Sequence, residues 1–196
     1  MDYSQDIQQY IELEREILSK LDINALNHAM QLIEAAYRQR KKIYIFGNGG
    51  SSATASHYQN DFNKGLSEHL DPKFEFVCLN NDTPTLMAIS NDIGFEEVFR
   101  YQLQGRIREG DLVIAISGSG NSVNIINAVE YAREHGNKVI GLTGIKGGKL
   151  RQLADVSLHV PVNSMQVTED VHMIFDHLMM SVFYKSLCGV DHMKMY

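Results

Sequence analysis

The chain has 196 residues, enough for one well-buried domain and too few for two full-sized ones. Apolar residues make up 44% and charged residues 21%, an ordinary globular composition that excludes a collagen-like or disordered chain. A net charge of −6, no long basic block and no run of 18 apolar residues argue against nucleic acid, a membrane or secretion, and for a cytoplasmic protein. Cys78 and Cys188 lie far apart in apolar surroundings and read as reduced, buried thiols.

In chain order, residues 4–21 place Ile7, Tyr10, Ile11, Ile17, Leu18 and Leu21 at helical spacing. Asp22 is positioned to cap a second helix with Leu26, Met30, Ile33 and Tyr37 on one face. The Arg38–Lys42 cluster that follows reads as a helix C-terminus, where cations suit the dipole. Strand-like runs recur at 42–46, 74–79, 112–117, 138–143 and 156–161. Helical patterns separate them at 52–63, 83–90, 96–108, 123–135 and 148–154, and a long helix closes the chain at 167–187, with Thr168 as its expected N-cap. This alternation predicts an α/β fold, and the uniformly apolar strands predict a parallel sheet covered on both faces. The tail from Gly189 is expected to fray.

Two glycine/serine loops stand where a strand gives way to a helix. The first is Gly47-Asn48-Gly49-Gly50-Ser51-Ser52 and the second Ser117-Gly118-Ser119-Gly120-Asn121-Ser122. Such loops present backbone N–H groups at a helix N-terminus, where an anion is welcome. Neither carries a P-loop lysine, so the pair points to a phosphorylated small molecule rather than a nucleoside triphosphate, and no nucleotide cofactor is implied. In an open parallel sheet both loops fall at the carboxyl edge, the place where ligands gather.

Candidate chemistry clusters on two helices. His57 and Asp61 are spaced i,i+4, which puts both on one helix face; the same spacing also suits a plain surface pair. Glu169, Asp170, His172, Asp176 and His177 crowd the final helix, and Glu169 and His177, two turns apart, look in broadly the same direction. Two histidines and two carboxylates would make a donor set for zinc or another divalent ion if the helices meet. His28, His69, His135 and His159 show no partner pattern.

These motifs, with Asn91-Asp92-Ile93-Gly94-Phe95 and Leu142-Thr143-Gly144 before Gly147-Gly148-Lys149, resemble the sugar-isomerase (SIS) domain, in its phosphoheptose isomerase branch. The resemblance implies a flavodoxin-like three-layer α/β/α sandwich around a five-stranded parallel sheet. It implies N-terminal helices (1–40) that pack on the core and in oligomer contacts, a SIS domain at 41–188 and a tail at 189–196. It further implies a homotetramer with shared active sites that interconverts a ketose and an aldose phosphate. Carried over residue by residue, Asn48, Gly49, Gly50, Ser51, Asn91 and Asp92 would bind sugar, and Ser117, Gly118, Ser119 and Ser122 the phosphate. Asp61 and His177 fall on the catalytic positions, and Glu169 on a substrate-binding glutamine. In several members the positions of His57, Asp61, Glu169 and His177 also hold zinc. Three departures stand out: Asp61 replaces glutamate, Glu169 replaces glutamine, and Gly118 stands where threonine is usual. They leave open whether Asp61 or Glu169 is the base. They also leave open whether the substrate is another ketose phosphate, such as a pentose or amino sugar, and whether the chain is instead a non-catalytic phosphosugar-binding protein or replication-initiator adaptor.

Overall fold

The structure, a computed structural model, describes residues 1–191. Five strands, β1 (Ile43–Gly47), β2 (Phe76–Cys78), β3 (Leu112–Ser117), β4 (Lys138–Thr143) and β5 (Val156–His159), form one parallel sheet in the order β2-β1-β3-β4-β5. Every residue of β1 and β3 is buried, as expected of central strands covered on both faces. The edge strands β2 and β5 are shorter than the apolar runs that predict them, because each has a ladder partner on one side only.

Eight α-helices flank the sheet: α1 (Ser4–Ser19), α2 (Ile23–Arg38), α3 (Gly50–Asn60), α4 (Thr83–Asp92), α5 (Arg100–Leu103), α6 (Val123–Glu134), α7 (Gly148–Leu153) and α8 (Met165–Cys188). Ile33 of α2, Tyr58 of α3 and Phe175 of α8 pack with Ile43, Ile45 and Ile114 on one face. Ile89 of α4, Leu103 of α5, Val129 of α6 and Leu150 of α7 pack with Tyr44, Phe46 and Val113 on the other. The result is the expected α/β/α sandwich. On α1, Ile17 is buried while Ile7 and Ile11 stay exposed, and Tyr10 donates its hydroxyl proton to Asp170 of α8.

Asp22 caps α2 as its position predicts, accepting from the backbone N–H of Asn24 (2.9 Å) and Ala25 (3.0 Å). Three expectations are corrected. The helix pattern at 96–108 breaks into a 3₁₀ turn (Phe95–Glu97) and the one-turn α5, between Gly94 (φ +145°) and Gly105 (φ +67°). α8 starts earlier than its pattern: Ser164 is its N-cap, and Thr168 instead returns its hydroxyl to the Ser164 carbonyl at 2.8 Å. Gly189 (φ +71°) then ends α8 in an ordered turn, with the Val190 N–H bonded to the Tyr184 carbonyl at 3.0 Å. The rest of the expected tail, 192–196, lies outside the described residues. Cys78 is buried, but Cys188, at the end of α8, is only half-buried; both are free thiols.

Candidate active site

Strands β1 and β3 are neighbours at the point where strand order reverses, so both glycine/serine loops open at the switch point of the sheet. Asn80 fixes the first loop by accepting from the Gly47 N–H (3.2 Å) and donating to the Gly47 carbonyl (2.9 Å). Asn48 and Asn124 exchange side-chain amide bonds at 2.9 Å each, which ties the first loop to the start of α6. In the second loop, Ser117 Oγ accepts from the Gly120 N–H (3.1 Å) and lies 3.4 Å from Ser122 Oγ.

Between the loops is a recess of about 260 Å³, walled by Asn48, Gly49, Gly50 and Ser51 on one side and Ser117, Gly118, Ser119 and Ser122 on the other. Glu169 closes it from α8. A Cβ on Gly50 would sit 2.3 Å from Glu169 Oε2, so glycine is what lets this carboxylate lie on the N-terminus of α3. Gly118 is a similar case: a Cβ there would sit 2.5 Å from Met165 Sδ. The methionine occupies the space that a threonine would need. Asn91 and Asp92 are not drawn in; they lie exposed at the end of α4, bonded to each other at 2.7 Å.

The histidines meet further along α3. His57 lies seven residues after Gly50, roughly 10 Å along the helix axis. His57 Nε2 is 3.1 Å from His177 Nε2, 3.4 Å from Asp61 Oδ2 and 3.8 Å from Asp176 Oδ2, and Asp61 Oδ2 is 3.9 Å from His177 Nε2. The four donor atoms all lie within 4.8 Å of one another. Asp61 opens a π turn (Asp61–Gly65) and, although shorter than glutamate, reaches both rings. Asp61 and His177 line a separate concavity of about 410 Å³ with Met180, Ser181 and Tyr184.

The structure pairs His57 with Asp61 as their spacing suggests and brings His177 to them, a meeting that only the family resemblance implied, but it leaves Glu169 out of the group and puts Asp176 in. Glu169 precedes His177 by two turns and lies against the start of α3, whereas Asp176 lies beside the end of α3. Asp176 is fully buried and neither carboxylate oxygen has a hydrogen-bond partner. Burial first, and the Asp61 charge second, push its pKa up to about 8. One turn earlier, His172 is buried with both ring nitrogens unpartnered, and burial pulls its pKa down to about 4. Two imidazole nitrogens facing each other beside two carboxylates form a donor set of the N/O type that binds divalent ions. The unpartnered oxygens of Asp176 point to the same kind of occupant, since a buried carboxylate needs a proton or a cation.

The SIS domain profile matches residues 7–144. The chain belongs to the SIS-domain family. Phosphoheptose isomerases of Aliarcobacter butzleri (38% identical over 162 residues, 83% of this chain and 85% of theirs) and Aneurinibacillus thermoaerophilus (36% over 184 residues, 92% and 91%) are similar along nearly the whole SIS chain. The solved phosphoheptose isomerase of Neisseria gonorrhoeae superposes with a TM-score of 0.84 at 32% identity, covering 92% of this chain and 98% of that one. Sequence reading placed Asp176 in the crowd on the final helix but left it out of the donor set, and it gave Asn80 and Asn124 no supporting role. An aspartate directly after the apolar Ile174 and Phe175 of the helix was the available signal for the first, since burial there strands a charge. The two asparagines act only across the fold and leave no local pattern.

Proposed function

We propose that this protein is a phosphoheptose isomerase, an aldose–ketose isomerase that interconverts sedoheptulose 7-phosphate and D-glycero-D-manno-heptose 7-phosphate. Its place is in supplying heptose for surface polysaccharide. The observation that carries this reading is the joint presence, on one SIS fold, of a phosphate-sized recess and a His/carboxylate pair one helix-length away. The phosphate is held by the N–H and hydroxyl groups of the second loop, with Gly49 and Gly50 opening the N-terminus of α3 toward it. Asn48, Ser51 and Glu169 meet the sugar hydroxyls, whereas Asn91 and Asp92, exposed outside this recess, would reach sugar only in a site completed by a neighbouring copy.

The distances support one assignment of the reacting groups. A seven-carbon chain anchored at its phosphate carries its carbonyl end away from the recess, toward His57, Asp61 and His177, while Glu169 stays by the phosphate. Asp61 therefore moves the proton between C1 and C2 through a cis-enediol, and His177, the exposed ring, moves protons at the two oxygens. Binding energy from the remote phosphate fixes the register of that end. His57, Asp61, Asp176 and His177 would hold a divalent ion, zinc by donor type, and its chemistry would be to polarise the substrate carbonyl. The protein is a cytoplasmic homotetramer in this reading, with neighbouring copies completing each site.

Steady-state kinetics on sedoheptulose 7-phosphate test the assignment. H177A and D61N are expected to lower kcat by at least about a hundredfold with little change in KM, the pattern of groups used in the transition state. E169Q is expected to act mainly on KM. Near-parental kcat in H177A would remove the assigned role.

A further inference from the structure

At the opposite end of the sheet is another, larger cavity, about 660 Å³ in volume. Arg40, Lys41 and Lys42, between α2 and β1, form one wall, and Arg106 and Arg108, between α5 and β3, form the other. Its floor is Tyr44, Val77 and Leu79, a stretch of sheet face that the one-turn α5 is too short to cover. None of these residues lines the glycine/serine recess.

The charges here differ from those elsewhere. Among the described residues, nine lysines and arginines pair with a carboxylate, and five of the eight that do not line this cavity. Lys41 Nζ donates to the Glu109 carbonyl at 2.7 Å; the other four side chains donate to no protein group. The carboxylates in the lining are Glu75 and Asp111. Asp111, buried, spends one oxygen on the Lys42 N–H (2.9 Å) and the other on the Arg108 N–H (2.8 Å). It thereby clamps the backbones of the two cationic walls at a fixed separation instead of neutralising their side chains. The helix dipole accounts for Arg38, which pairs with Glu34 inside α2, but not for the residues beyond the helix. Arg40 also holds a left-handed backbone (φ +54°), a position where glycine or asparagine would cost less.

We propose that this cavity is a second anion site, separate from the substrate recess, that takes a diphosphate group bridging the two cationic walls. Guanidinium groups without a carboxylate partner, carried on backbones that Asp111 ties together, suit bidentate phosphate contacts. The apolar floor leaves room for the rest of a diphosphate ester.

Calorimetric titration of the full-length protein with inorganic pyrophosphate at low ionic strength tests this, since screening weakens such contacts at high salt. R106A/R108A removes two exposed side chains that make no internal bond, so the fold should hold. Its pyrophosphate affinity should fall at least tenfold, with isomerase turnover unchanged. S122A, in the recess, should leave pyrophosphate affinity within twofold of the parent. Three results would overturn the proposal: no pyrophosphate binding to the parent, binding lost in S122A but kept in R106A/R108A, or arginine-dependent retention of an oligonucleotide without pyrophosphate binding.

Discussion

Asp176 is a carboxyl group fully buried with no donor on either oxygen, and its environment raises its pKa from the ordinary 3.8 to about 8. Below pH 4 the group is protonated in folded and unfolded chains alike; between pH 4 and 8 only the folded chain keeps the proton. Its effect is therefore a loss of stability as pH rises through that window, at up to about 1.4 kcal/mol per pH unit, complete above the folded pKa. His172 acts in the opposite sense: with its pKa pulled from 6.5 to about 4, it costs stability as pH falls through that range. In EDTA, D176N should melt above the parent near pH 8.5 and lose most of that advantage near pH 5. Added zinc should reverse the order at the higher pH by stabilising the parent alone. An equal melting difference at both pH values, indifferent to zinc, would contradict this account of Asp176. Gly50→Ala bears on the neighbouring carboxylate: its Cβ displaces Glu169 from α3, so substrate affinity should drop about tenfold with little change in melting temperature.

Among the elements, those with a strong local period and a local stop signal were legible in the sequence, and those decided by tertiary contact were not. The Asp22-capped α2, the apolar β1 and β3 and the helix after each glycine/serine loop follow from residues within one turn of their ends. The widening of α3 into a π turn at Asp61 has no comparable signal, yet it sets where that carboxylate points. The break in the 96–108 helix is visible only as isolated glycines, and Gly105 prevails because it holds positive φ. In the site, the loops and the His57/Asp61 pair were readable from spacing, while the approach of His177 to that pair was implied only by the family resemblance. Exchange of Glu169 for Asp176 was not readable, because it depends on how α8 lies along α3. Gly47 supplies the sharpest test at this scale. A Cβ there would lie 2.7 Å from the Ser51 backbone carbonyl oxygen, which cannot swing away. Gly47→Ala should therefore cost about 1–3 kcal/mol, measured by denaturant unfolding.

For the whole molecule, α1 leaves Ile7, Tyr10 and Ile11 exposed, as is Tyr3 just before it, with Ile7 and Ile11 at 57% and 62%, while its other side rests on the core. A repeated apolar face on an outer helix suits association of copies, so light scattering should give a tetramer that I7E/I11E dissociates. Other exposed apolar residues, Met87, Phe95 and Val123, border the clefts next to Asn48, where an adjacent copy would complete the sugar site. The central claim is that this protein isomerises a phosphorylated heptose by moving a carbon-bound proton. Proton NMR of the purified protein with sedoheptulose 7-phosphate in D₂O, with zinc present, tests it most directly. The account predicts aldose signals at equilibrium and solvent deuterium at C1 or C2. A folded, tetrameric protein that gives neither aldose nor deuterium exchange would contradict it.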